Sequence, residues 1–553
     1  MVASVEKPRI RVQAPSRPVA YGVGHGGVPR AAHMAGDYMA QAVRGWLPPL
    51  QSADAEWLYE RDLSVSRVRD LVRNEGWAQA AIDRTVDMTV GATFRLNAKP
   101  DADRLGITRE AAEEFARQIE AKWREFAHDP TFRGDAERLL PFAGQIGLIA
   151  RELVQVGEGL AVLRWKPRER WPYATALHIV DADRLSNPDG RPDDDFLRGG
   201  VELDADGAPV AYHIRRGHPG DVSSSLDSMT WDRIPRFDDV DGYDRWKVLH
   251  VFERRRPGQH RGISRLVAAV VKMRLLSRYS ESEVKAAAIN GSVIGAIYTE
   301  LGQEFAREAL GDTSGPGAGF DWDGFNGHRA NFYRTGSGME DSRFLTLFPS
   351  DKLDLNTTPR NTAGFPAFQK AFLQGFSASL GLSYEQVSMD WSSTNYSSAR
   401  AALNEVWRTV QRLRAMLVWG AAQPVYTAFL EDALDSGALT PPAGAPDFYD
   451  APGAYAQAEW IGPGRGYVDP VKEAQAAALR IKARISTLER EAAEQGLDWQ
   501  MVVAQIAREE AELARVGVSV PDSGKLSTAK DDDEEAADKP AAPGTDDRSR
   551  AAA

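Results

Sequence analysis

The chain contains no cysteine, which removes disulfides, thiolate metal sites and cysteine nucleophiles together and fits a reducing compartment. It has no run of eighteen apolar residues, so no membrane-spanning helix is expected. Its first residues carry Glu6, Lys7, Arg9, Arg11 and Arg17 among prolines and lack the apolar core of a signal peptide. A soluble, intracellular product is the expectation. Positive charge is outnumbered, 67 Lys and Arg against 79 Asp and Glu, and the formal net charge of −12 argues against a general nucleic-acid binder, which would show a basic field. It leaves room for a protein past which nucleic acid slides without sticking.

Recognisable chemistry is missing as well. A P-loop needs Gly, four residues, then Gly-Lys-Ser/Thr, so that backbone amides cradle phosphates and the lysine neutralises them. Gly524-Lys525 is followed by Leu526, so nucleotide hydrolysis by that route is excluded. The clusters Gly315-Pro-Gly-Ala-Gly319 and Gly462-Pro-Gly-Arg-Gly466 lack the strand–turn–helix setting of a dinucleotide site. Gly375-Phe-Ser377-Ala-Ser379 lacks the second glycine of a nucleophile elbow and falls inside a helical pattern. The nine histidines include no His-Glu-x-x-His pair for zinc. Asp239-Val-Asp-Gly-Tyr-Asp244 has His250 where an EF-hand loop has its closing glutamate, and it reads with Asp193-Asp-Asp195 as solvated turn. No catalytic residue, metal or cofactor is expected.

What is present is enough apolar residue, 43% of 553, for a large core. Residues 1–54 are rich in Pro, Gly and Ala and read as a flexible arm; from Pro521 the chain is again polar, with nine acids against five bases between Asp522 and Ala553. The body opens with a helical pattern around Val68, Leu71, Val72, Trp77, Ala81 and Ile82. A second helix is predicted from Ala111 to Phe126, with Phe115, Ile119, Trp123 and Phe126 on one face, and a third from Leu148 to Val156. Strands are predicted at Gly159 to Trp165, Ala176 to Val180, Ala208 to Arg215 and Lys247 to Phe252, with Asn187-Pro188 and Asp206-Gly207 as turns. Helices first and strands next give an α+β fold. Ser264 is the expected N-cap of a long helix ending at Asn290-Gly291. Short strands at Val293 to Thr299 and Phe344 to Leu347 bracket the glycine-rich section Gly311 to Gly338. The last folded part, Val471 to Val516, reads as helical.

Two stretches stand out. Phe365, Phe368, Phe372, Phe376 and Leu380 mark one helix, and Leu403, Val406, Trp407, Val410, Leu413 and Leu417 mark another. Between them lie Gly381-Leu-Ser-Tyr-Glu-Gln-Val387 and Trp391-Ser-Ser-Thr-Asn-Tyr-Ser-Ser-Ala-Arg400, a polar, aromatic loop suited to contact rather than to filling a core. The second stretch is Arg254-Arg-Arg256 with Arg261. It reads as a charged loop, or as a contact with phosphates or with an acidic neighbouring subunit; on an acidic body the subunit is the better functional choice.

Four blocks in order along the chain resemble the portal proteins of tailed bacteriophages, lambda-like branch. They are Asp70-Leu-Val-Arg-Asn-Glu-Gly-Trp-Ala-Gln-Ala-Ala-Ile-Asp83; His250-Val-Phe-Glu253 with Gly258-Gln-His-Arg-Gly262; Gly381 to Trp407; and Glu459-Trp-Ile-Gly-Pro-Gly-Arg465 with Val471-Lys-Glu-Ala-Gln475. The resemblance implies a portal-type α+β subunit: arm 1–54, mixed wing 55–258, first stem helix 259–290, clip 291–358, second stem helix 359–381, tunnel-loop region 382–398, long kinked helix and wing return 399–460, crown helices 461–520 and acidic tail 521–553. It further implies a homo-oligomeric ring, usually of twelve, at the portal vertex of the virion head, assembled in the host cytoplasm. Double-stranded DNA would pass through it during packaging and ejection, with terminase, a head–tail adaptor and the major capsid and scaffold proteins as partners, and no membrane. Ser392, Ser393, Asn395 and Tyr396 are then the candidates to face DNA, because the loop has no charge from Trp391 to Ala399 and each neutralised phosphate would add unwanted affinity. Trp391 and Tyr396 packing on a neighbouring subunit is the open alternative. A minor head or scaffold protein without a channel, and a ring-shaped DNA-processing enzyme, are the competing functions.

Overall fold

The computed structural model describes residues 45–221, 227–240, 242–292, 364–392, 394–466 and 469–517, together with residues 41–43, 296–297, 327–328, 331 and 345–346. Helices Ala53–Trp57, Arg61–Asn74 and Gly76–Thr89 come first. The single pattern expected from Val68 to Ile82 is thus two helices, broken where Glu75 takes an extended conformation. Helix Arg109–Ala127 begins where the Thr108 hydroxyl accepts from the Ala111 amide at 3.2 Å, and Phe115, Ile119, Trp123 and Phe126 are all buried on its inner face as their spacing predicts. Trp123 meets Phe142, Phe429 and Trp460 edge-on, with centroids 4.8, 5.1 and 5.7 Å away. Rings so arranged contribute about 0.5–1.5 kcal/mol per pair beyond their burial.

Strand Glu158–Trp165 is central in an antiparallel sheet, flanked by Val248–Phe252 and Thr175–Val180. A second antiparallel sheet takes Leu197–Arg198, Val201–Leu203, Pro209–Arg215 and Trp231–Pro235 in order, and Phe237–Val240 forms a hairpin with Tyr243–Trp246. Strand Arg95–Ala98 pairs with Ala458–Ile461, which ties the beginning of the body to its end.

Helix Val267–Ser292 and helix Phe365–Leu380 lie together, with Tyr279 against Phe368 at 4.9 Å between ring centroids. Ser264 caps the turn that leads into the first of these, its hydroxyl accepting from the Leu266 amide at 3.1 Å. It is buried, its hydroxyl donates to the Val154 carbonyl at 2.9 Å, and the helix begins three residues later and runs past Asn290. Beyond it only the parallel pair Ala296–Ile297 with Leu345–Thr346 and a few residues between are described, so most of the glycine-rich section lies outside the described residues.

Helix Tyr396–Leu417 passes without a break in the chain's helical course through a π-turn, Val418–Ala422, into helix Gln423–Asp435. Gly420 allows the close approach there, because a Cβ on it would lie 2.9 Å from a Val251 methyl. Helices Pro470–Lys482, Leu488–Glu494 and Trp499–Val516 follow. The largest core joins Arg109–Ala127, the three-stranded sheet and the 413–456 segment. A second core gathers the first long helices, the bases of the 267–292 and 365–380 pair, and Leu382, Val387, Val406 and Val410.

Candidate functional site

The segment between the phenylalanine helix and the next is only partly a loop. Gly381 ends the first helix in the left-handed region (φ 74), close against Thr409. Helix Tyr384–Ser388 then forms under a reciprocal cap: the Ser383 hydroxyl accepts from the Gln386 amide at 3.4 Å, and the Ser383 amide donates to Gln386 Oε1 at 3.1 Å. Leu382 and Val387 are buried in the second core, and Gln386 donates to Met88 Sδ at 3.5 Å. The expectation of an open loop from Gly381 is therefore corrected. Ser383 and Gln386 supplied the sequence signal for a helix start, and the run of polar residues obscured it.

Met389, left-handed at φ 58, turns the chain outward. Met389, Asp390, Trp391, Ser392 and Asn395 form the exposed tip. Ser392 is turned back on Asp390, its hydroxyl 2.6 Å and its amide 3.1 Å from Oδ1; these bonds lower the Asp390 pKa. A carboxylate thus borders the uncharged stretch. Asn395 Oδ1 accepts from the Ser398 amide at 2.8 Å and caps the long helix, which starts at Tyr396 and not at 399. Ser393 and the Tyr396 side chain lie outside the described residues.

The structure separates the four arginines. Arg254, Arg255 and Arg256 are exposed. Arg255 reaches Glu253 at 3.4 Å, while Arg256 pairs with Glu56 and donates to the Gln51 carbonyl at 2.9 Å. Arg261 is corrected as a surface contact: it is 2% exposed and points inward. Its guanidinium holds Glu158 at 2.6 Å and donates to the carbonyls of Leu185, Gly199 and Ala182 at 2.6–2.9 Å. Glu158, fully buried, also accepts from Arg61 at 2.8 Å, His250 Nε2 at 2.9 Å and the Gly262 amide at 2.8 Å. Burial alone would raise the Glu158 pKa; Arg261 and Arg61 more than reverse this and hold it well below the carboxylate range.

Two further groups escaped sequence reading. His260 Nδ1 lies 2.6 Å from Asp54 Oδ2 and its Nε2 lies 3.1 Å from the Gly207 carbonyl, fastening the first helix to the arginine loop. Asp181, Asp183 and His218 bring ligand-type atoms within 4.8 Å of one another. The Arg69 guanidinium already pairs with both carboxylates there and supplies the positive charge. None of these side chains is spaced in sequence in a way that announces its partner. Among the described residues no helix is long and apolar enough to cross a membrane.

Comparison with known proteins agrees with the blocks read from the sequence. Residues 40–414 match the family described as phage portal protein, lambda family. The chain is 32% identical over 496 residues to the portal protein of Escherichia phage N15, covering 88% of this chain and 91% of that one. It is 31% identical over 496 residues to portal protein B of Escherichia phage lambda, with the same coverage. A probable portal protein of Halomonas phage phiHAP-1 is 25% identical over 520 residues, 91% of each chain. Among solved structures, a chain from the neck of a native gene transfer agent particle computed with C12 symmetry aligns with a TM-score of 0.39 at 14% identity, covering 84% of this chain and 99% of that one.

Proposed function

The chain belongs to the lambda family of phage portal proteins, and from that premise we propose that its subunits close head to tail into a ring, usually of twelve, around a DNA channel. The family is structural, not enzymatic, and the chain is a portal subunit. In this reading the ring sits at one vertex of the virion head, the genome enters and leaves through it, and terminase and then head–tail adaptors dock on it. The body of mixed helix and strand is the wing. The 267–292 and 365–380 helices are the stem, the residues between them the clip, and the last three helices the crown.

The observation that carries the channel reading is the tip at 389–395. Met389 to Ser392 and Asn395 are exposed there, the stretch carries no cation, and it stands on a base made by the Ser383–Gln386 cap and the buried Leu382 and Val387. A constriction without lysine or arginine neutralises no phosphate and releases no counterion, so DNA passes it with little affinity to overcome. The helix behind it runs on through a π-turn, a feature frequent at functional sites.

Asn395→Asp tests this cleanly, because aspartate caps a helix as well as asparagine does. Rings should assemble as in the wild type, while DNA packaged per particle changes, since each subunit now places a second carboxylate at the tip beside Asp390. Unaltered packaging by correctly assembled Asn395→Asp rings would remove the tip from the DNA path.

A further inference from the structure

The last helix, Trp499–Val516, has no buried residue along its eighteen positions. Isolated helices of this length are marginal, and helices in proteins are held mainly by packing an apolar face. Such a face exists: Trp499, Val502, Ile506 and Leu513 recur at helical spacing, and Ile506 is 47% exposed. It is interrupted in one place. Glu509 and Glu510 occupy the turn between Ile506 and Leu513, where an apolar pair would be expected. Glu512, by contrast, points to a cation on its own helix, Arg515. Among the described residues neither Glu509 nor Glu510 meets a cation; Glu509 accepts only from Gln505 Nε2 at 2.6 Å. Whatever covers this face must bring positive charge flanked by apolar groups.

The chain carries such a segment. At the end of helix Pro470–Lys482 every residue from 481 to 485 is exposed, in the order Ile481-Lys-Ala-Arg-Ile485, with Ile485 71% exposed. Arg484, left-handed at φ 58, breaks the helix there. Nearby cations are satisfied within the subunit: Arg480 by Glu491 at 2.6 Å and Lys472 by Asp469 at 3.7 Å. Among the described residues Lys482 and Arg484 have no carboxylate partner.

We infer that residues 481–485 of one subunit seat on the 506–513 face of the next, Lys482 and Arg484 meeting Glu509 and Glu510 between Ile481, Ile485, Ile506 and Leu513. The contact rests on the reading that the subunits close into a ring. Its two surfaces differ, so it is heterologous and propagates head to tail. A self-facing contact between two 506–513 faces is disfavoured, because it would set four carboxylates together in an apolar interface.

The test uses the full-length chain, with ring formation followed by mass photometry and folding checked by circular dichroism. Lys482→Glu/Arg484→Glu and Glu509→Lys/Glu510→Lys change exposed positions, so each double variant should remain folded. Each should raise the subunit concentration at half-assembly by about tenfold or more, since like charges now face each other. Mixing the two double variants restores every interface in an alternating ring of even number, and combining all four substitutions restores it in a single chain. Both should assemble as the wild type does. If the double variants assemble normally, or if neither mixing nor combination rescues them, the contact is wrong although the ring reading stands. If the wild-type chain forms no ring in the same experiment, both fall.

Discussion

His260 is held between two acceptors, a carboxylate oxygen of Asp54 and the carbonyl of Gly207, so both ring nitrogens must donate and the imidazole is cationic in this arrangement. The Asp54 hydrogen bond outweighs burial and the nearby Arg254, and raises the His260 pKa. Stability from this contact is complete below the ordinary histidine pKa of 6.5 and is lost as pH rises through the higher folded value. Amide protection, corrected for the intrinsic rise of exchange with pH, should therefore fall in residues 51–57 as pH rises above 6.5, and His260→Gln should show low protection throughout. Glu120 titrates in the same range for a different reason. Burial, with the charge of Asp498 behind it, raises its pKa to about 7, and the hydrogen bond from the Ala98 amide only partly opposes this. Its favourable protonated form is complete below about pH 4.5 and lost as pH rises through about 7. Glu120→Gln should raise the melting temperature at pH 8 and leave it unchanged at pH 4.5.

At the scale of elements, the sheet and the segment leading into the 267–292 helix are joined by backbone contact that leaves no room for side chains. A Cβ on Gly262 would fall 2.2 Å from the Gly157 carbonyl oxygen, and Gly157 itself sits at φ 103 against the Ile263–Ser264 backbone. Gly262→Ala should cost about 1–3 kcal/mol or more, read as a lower melting temperature; Gly76→Ala, which meets nothing within 4 Å, is the control and should not fall. This joint also shows what the sequence could and could not convey. Periodicity located Arg109–Ala127 and the strands at 158–165, 175–180, 209–215 and 248–252 closely, because their faces are buried within one subunit. It did not reveal that Arg261 turns inward while Arg254 stays outside, since that depends on Glu158, a hundred residues away, reaching the same point. Nor did it reveal Asn395 as a helix cap: its position, one residue before the helix, became readable only once the helix was seen to start at Tyr396. The Ser383–Gln386 cap was legible as a pattern and was masked by the polar residues around it.

At the scale of the whole molecule, large apolar side chains stay exposed on several elements, the long helices among them. Val271 and Leu275 on the 267–292 helix and Leu479, Ile485 and Val516 at the C-terminal helices are each more than half exposed. A folded chain with this distribution is expected to associate, and a net charge of −12 is expected to keep the assembly soluble while making its formation depend on salt. In the ring proposed above, that association closes head to tail. Electron microscopy of the purified full-length protein tests the central claim most directly. The account predicts closed rings with an open central channel, narrowest at residues 389–395; monomers at every protein and salt concentration, or closed particles without a pore, would contradict it.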